Sequence, residues 1–105
     1  MTKYTVHTER FEFDPTAHAT VEAAYFADMD HNDKIVAICD TIEEAQAVLA
    51  TINVSTARYS RRLAAATVAF IAKGEYELED DEWEYVGTCV DIYEFKADEV
   101  ARDDD

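Results

Sequence analysis

Between residues 75 and 85, carboxylates and apolar side chains alternate. Glu75, Tyr76, Glu77, Leu78 and Glu79 run to Asp80 and Asp81, after which the pattern resumes as Glu82, Trp83, Glu84 and Tyr85. A period of two puts alternate residues on opposite faces of an extended strand, so the stretch reads as a hairpin that turns at Asp80 and Asp81. Tyr76, Leu78, Trp83 and Tyr85 are then expected to face a core, and Glu75, Glu77, Glu79, Glu82 and Glu84 to face water. Neighbours on one strand face lie roughly 6.8 Å apart, so each like pair repels by about 0.6 kcal/mol in water. Two readings follow. The acids either keep a sheet edge from pairing with other chains or form a surface for a partner. One or two charges of either sign would be enough for the first.

The charge is concentrated at this end of the chain. Residues 75–105 hold 14 of the 24 acids and two bases, Lys96 and Arg102; the first 74 residues hold ten acids and seven bases. A net charge of -15 over 105 residues disfavours direct binding of nucleic acid or anionic lipid and favours a basic protein surface. Composition points to one folded domain over residues 1–105, with 97–105 a frayed acidic tail, because 49% of the residues are hydrophobic and 11% aromatic, more than a disordered chain carries. The longest apolar run, residues 63–72, falls short of the roughly 20 residues needed to span a bilayer. Residues 1–7 lack a basic region followed by an apolar one, so no secretory leader is expected. Cys39 and Cys89 lie far apart and form no Cys-x-x-Cys pair, which fits free thiols in the cytoplasm.

With two glycines, Gly74 and Gly87, and one proline, Pro15, the chain offers no linker. The opening stretch alternates over residues 4–13, but its parity slips between Val6 and Phe11, which suggests a bulge or two short strands. Val21, Ala23, Tyr25, Ala27 and Met29 keep a period of two, so residues 20–29 are expected as a strand, with a turn at Asp30, His31, Asn32 and Asp33 and a return along residues 34–39. Thr41 and Glu44 form a capping box ahead of the stripe Ile42, Ala45, Val48, Leu49 and Ile52, which predicts an amphipathic helix over residues 42–52. From 55 to 73, Ala64, Ala65 and Ala66 favour helix while Val68, Phe70 and Ala72 alternate; strand is preferred. The fold expected is α+β, a mostly antiparallel sheet of four to six strands with one packed amphipathic helix.

Chemistry-bearing motifs are sparse. Asp28, Asp30, Asn32 and Asp33 resemble the start of a calcium loop, but the sixth position is Asp33 where glycine is required and the twelfth is Cys39 where glutamate is required. His7, His18, His31 and the two cysteines lack the spacing of a zinc site. No phosphate loop or nucleophile elbow is present. No catalytic residue, cofactor or metal is therefore expected. Arg58, Arg61 and Arg62, beside Tyr59, make one basic cluster, expected to pair with the protein's own acids.

The segment ending in Asp28, Met29 and Asp30, the strand of residues 35–39 with Asp40 and Thr41, the helix start Glu43, Glu44 and Ala45, and the close on Val90, Asp91, Ile92, Tyr93, Glu94 and Phe95 together resemble small acidic proteins carried on mobile elements of gut bacteria. By analogy of charge and size, that setting implies an inhibitor of the anti-CRISPR or anti-restriction type, which imitates DNA before a nucleic-acid-binding defence protein. The expected function is thus a non-enzymatic, acidic protein-binding module that uses Glu75, Glu77, Glu79, Asp80, Asp81, Glu82, Trp83 and Glu84, with Trp83, Tyr85 or Tyr93 as anchor where exposed. The alternatives are an immunity protein or antitoxin facing a basic toxin, a small enzyme or metal-binding protein, and a surface adapted to high salt.

Overall fold

The computed structural model describes residues 1–27, 34–87 and 91–98. In chain order the elements are β1 (Thr2–Phe13), α1 (Val21–Ala27), β2 (Lys34–Cys39), α2 (Ile42–Thr51), β3 (Ser55–Arg58), β4 (Ala64–Glu79), β5 (Glu82–Tyr85) and β6 (Asp91–Lys96). Every strand pair is antiparallel, and the order β2-β1-β4-β3 is completed by β5 and β6, which also pair with β4. The fold is α+β and mostly sheet, as expected, with two short helices.

β4 organises the molecule. It pairs with β1 along residues 64–75, and with β3, β6 and β5 at residues 64–67, 69–73 and 76–79. Sixteen residues at about 3.3 Å each make a strand of about 53 Å, which matches the 54 Å long axis of the protein. Ala64, Ala65 and Ala66 are strand despite their helix propensity. They are at most 2% exposed, and a strand buried on both faces is held by its neighbours rather than by intrinsic preference.

The parity slip in β1 is not a bulge in that strand, because its register with β4 runs unbroken from Thr2↔Glu75 to Phe13↔Ala64. Two cores lie on opposite faces of the sheet. Phe11 and Phe13 face one, with Val21, Ala24 and Tyr25 of α1 and Val68 and Phe70 of β4. Val6 faces the other, with Ala45 and Leu49 of α2 and Ala69 and Ile71 of β4. A strand between two helices turns apolar side chains both ways, which breaks simple alternation. The bulged residue is Val36 on β2, since Val6 pairs with Ala37 and His7 with Ile35.

Residues 21–27 form a helix and not the expected strand. Thr20 decides this. Its hydroxyl accepts from the Ala23 N–H at 3.0 Å, and its carbonyl from the Ala24 N–H at 3.1 Å, which is helix N-capping. Val21, Ala24 and Tyr25 then face the core at helical spacing. Asp14 and Pro15 belong to a preceding turn closed by Ala17 N–H to the Asp14 carbonyl at 3.1 Å. Asp28, Met29 and the turn expected at Asp30, His31, Asn32 and Asp33 lie outside the described residues.

α2 forms as expected, with the Thr41 hydroxyl accepting from Glu44 N–H at 3.2 Å. At its other end the Lys96 ammonium donates to the carbonyls of Leu49 and Ile52 at 3.2 and 2.7 Å. A cation there satisfies orphan carbonyls and the negative end of the helix dipole, and it ties α2 to β6. Beyond β6, Ala97 packs on the α1-side core and the Asp98 carbonyl accepts from Thr56 at 2.7 Å. The rest of the expected tail, and Cys89 and Val90, lie outside the described residues. No helix among the described residues is long and apolar enough to cross a membrane.

Candidate functional site

Past Glu75, β4 runs beyond its pairing with β1 and continues with β5 as a two-stranded arm. Tyr76 opposes Tyr85 and Leu78 opposes Trp83 on one face; Glu77 opposes Glu84 and Glu79 opposes Glu82 on the other. Alternation along the unbroken strand puts the glutamates on the same side of the sheet as α2. The expected segregation is therefore present, but the apolar face is only partly covered. Tyr76 is 7% exposed, whereas Leu78 is 57% exposed, because the arm projects past the core that would bury it.

The acids are held in costly positions. Side chains directly opposite on antiparallel strands have Cβ atoms about 5 Å apart, where two carboxylates repel by about 0.8 kcal/mol in water. Asp80 and Asp81 both adopt left-handed backbone, with φ of 50° and 67°. A two-residue hairpin turn of this kind favours Asn followed by Gly, since a Cβ crowds the backbone there. The double replacement Asp80→Asn and Asp81→Gly is expected to stabilise the protein by about 1 kcal/mol; a urea titration whose midpoint did not rise would contradict this account of the turn.

The eight residues singled out in the sequence do not share one surface. Glu77, Glu79, Glu82 and Glu84 form the charged face and Asp80 and Asp81 the tip. Trp83 lies on the reverse, half-buried, with the Lys3 ammonium 4.0 Å from its ring centroid. Glu75 is engaged at the base of the arm, where the Thr2 hydroxyl donates to its carboxylate and the Met1 ammonium lies 3.5 Å away. The Thr2 hydrogen bond, aided by that ammonium, holds the Glu75 carboxyl below the usual glutamate range. A depressed carboxyl stabilises the fold above its ordinary pKa and ceases to as pH falls through the folded value, so this clamp opens only in acid.

Tyr93 is the exposed aromatic on the charged side. It is the bulged residue of β6, since Ile71 pairs with Glu94 and Ala72 with Ile92, and it is 56% exposed. Its ring meets Tyr4 edge-on at 6.0 Å. Gly74 seats the arm on the opposite side, since a Cβ there would lie 2.9 Å from the Tyr85 ring.

The arginines lie at the other end of β4, about 50 Å from the acidic tip at 3.3 Å per residue. Arg58 donates to the carbonyls of Ser60 and Arg61 at 3.1 and 2.8 Å, and Arg10 to the Tyr59 hydroxyl at 3.1 Å. Asp14 is held below the usual aspartate range first by the Thr16 hydroxyl and N–H and further by Arg62. The length of β4 thus keeps the arginine cluster away from the acids of the arm.

Sequence reasoning missed a polar row on the sheet. Lys3, Thr5, His7 and Glu9 are all at most 8% exposed and share the face of Phe11 and Phe13. The Thr5 hydroxyl lies 2.6 Å from His7 Nε2 and 3.3 Å from the Ala72 carbonyl. The His7 ring stacks on Phe70 at 4.6 Å, and Lys3 pairs with Asp40. Odd numbering shared with the two phenylalanines was the available signal; polarity argued for solvent.

Between α2 and β6 lies a groove of about 400 Å³ lined by Gln46, Leu49, Glu94 and Phe95. Its polar groups serve the fold, Lys96 on the helix end and Gln46 to Glu94 at 3.4 Å. Among the described residues no three His, Cys, Asp or Glu side chains are placed to hold a metal. Cys39 is 7% exposed, and burial, with Glu44 and Asp40 nearby, pushes its thiol above the usual range. Alkylation at pH 8, mapped by mass spectrometry, is expected to be at least tenfold slower at Cys39 in the folded protein than in urea, because the thiolate is the reactive form.

No family model, curated protein or solved structure matches the chain.

Proposed function

We propose that the protein is a non-enzymatic module that presents the charged face and tip of the β4–β5 arm to the basic groove of a nucleic-acid-binding protein, in the place of DNA. The observation that carries this reading is that Glu77 opposes Glu84 and Glu79 opposes Glu82 around a left-handed Asp80 and Asp81 turn. The like-charged cross-strand pairs and the left-handed Asp81 work against the hairpin's own stability, and an edge needs only a charge or two to stay unpaired. Six carboxylates along about 12 Å of ribbon give one charge per about 2 Å, close to the 1.7 Å of duplex DNA. Tyr93, exposed on the same side, supplies an aromatic anchor of the kind that carries interface energy.

The test is affinity capture from bacterial extract with the wild-type protein and a variant carrying amides at all six acids. The reading requires a basic protein that is released by duplex DNA and by salt and is absent from the variant capture. A partner retained by the variant, or indifferent to DNA, would remove it.

A further inference from the structure

We propose that the outer edge of β2 is a self-pairing surface through which two copies of this chain form a continuous antiparallel sheet about a two-fold axis. β2 ends the strand order, so among the described residues one of its sides has no neighbouring strand. Ile35, Val36 and Ile38 are 46%, 44% and 42% exposed, an unusual apolar density for a sheet edge.

The bulge makes this edge self-complementary. The Met1 and Tyr76 main chains bond each other, so odd residues of β1 point their N–H and C=O groups at β4 and even residues point theirs at β2. Ile38 and Ile35, which pair with Thr5 and His7, therefore direct their own main-chain groups outward. The extra residue Val36 also keeps both side chains on the α1 side of the sheet. A two-fold axis that sets Ile35 of one copy against Ile38 of the other satisfies both outward pairs and matches like faces, twice.

Charge selects the same occupant. Residues 34–39 hold one lysine and no acid, so the strand offers little to a basic or an acidic partner and sets no acid of its own against a second copy of itself. Each copy nevertheless carries a net charge of -15, so two copies repel as they approach. Self-association is therefore held back at low salt and released by screening. This trend is opposite to that of the arm, whose attraction to a basic partner weakens with salt, so the two proposals are separable.

Light scattering with size-exclusion chromatography at 0.05 and 1 M salt decides the matter. The expected result is the 11.9 kDa monomer mass at low salt, twice that mass at high salt, and slowed amide exchange at Ile35 and Ile38 in the dimer. Ile38→Lys, at an exposed position, is expected to keep the wild-type circular dichroism and weaken dimerisation at least tenfold, with Ile35→Lys as the second variant. A monomer at both salts, particles larger than a dimer, or association unchanged in both folded variants would each overturn the proposal.

Discussion

Converting Glu77, Glu79, Asp80, Asp81, Glu82 and Glu84 to their amides is expected to weaken binding of the basic partner by about 1,000-fold at 0.1 M salt. Exposed charge contacts are each worth about 0.2–1 kcal/mol, so six together supply about 4 kcal/mol, and 1.4 kcal/mol is tenfold in affinity. The same variant is expected to be more stable than the parent by about 1–2 kcal/mol, because two cross-strand repulsions of about 0.8 kcal/mol each disappear. Opposite signs make the pair of measurements discriminating. If the acids only protect an edge, neutralising them raises aggregation and leaves partner binding intact; if they serve recognition, binding falls while the urea midpoint rises, the familiar exchange between stability and function.

Replacing Phe70 with Ala is expected to cost about 3–5 kcal/mol, in the range for large-to-small changes of a buried aromatic. Phe70 is 4% exposed and its ring joins three elements: His7 of β1 at 4.6 Å, Tyr25 of α1 at 5.7 Å and Phe95 of β6 at 6.2 Å. Domains of this kind have total stabilities of about 5–15 kcal/mol, so the variant is expected to be substantially unfolded at 37 °C. Leu78→Ala is the matched control. Leu78 lies on the same face of the same strand but is 57% exposed, and its loss is expected to cost less than about 1 kcal/mol. Comparable urea midpoints for the two variants would mean that the arm is packed and the aromatic cluster is not the hub described here.

The elements that were legible in the sequence are those whose signals are local. The capping box at Thr41 and Glu44 and the stripe through Ala45 and Leu49 need no distant partner, and α2 starts where they place it. The arm was legible for the same reason, down to its turn at Asp80 and Asp81. α1 was not, because Val21, Ala24 and Tyr25 fit a helix while Val21, Ala23, Tyr25 and Ala27 fit a strand, and only the engaged Thr20 hydroxyl separates the two. The length of β4 was hidden because the stretch ending at residue 73 and the hairpin beginning at Glu75 read as separate elements, whereas one strand runs through both. Gly74 makes room for a ring on the neighbouring strand. The site was half legible: alternation separated the acids from the apolar residues, but Trp83 lies beneath Lys3, eighty positions away in sequence, and Tyr93 joins the charged side only through a bulge. Contacts over that distance leave no local trace.

The pairing of β1 with β4 also governs when the protein can fold during its synthesis. β1 is complete at residue 13, but its partner begins at residue 64, and ribosomes add about 5–20 residues per second. For several seconds the nascent chain carries its first strand without the central partner, and the closure of so long a loop must precede any of the contacts that reward it. The last strand to bind β4 comes later still. The sheet is therefore assembled only once β6 has been made as well, and whatever shields β1 during that interval, chaperone or charge, acts before the native sheet exists.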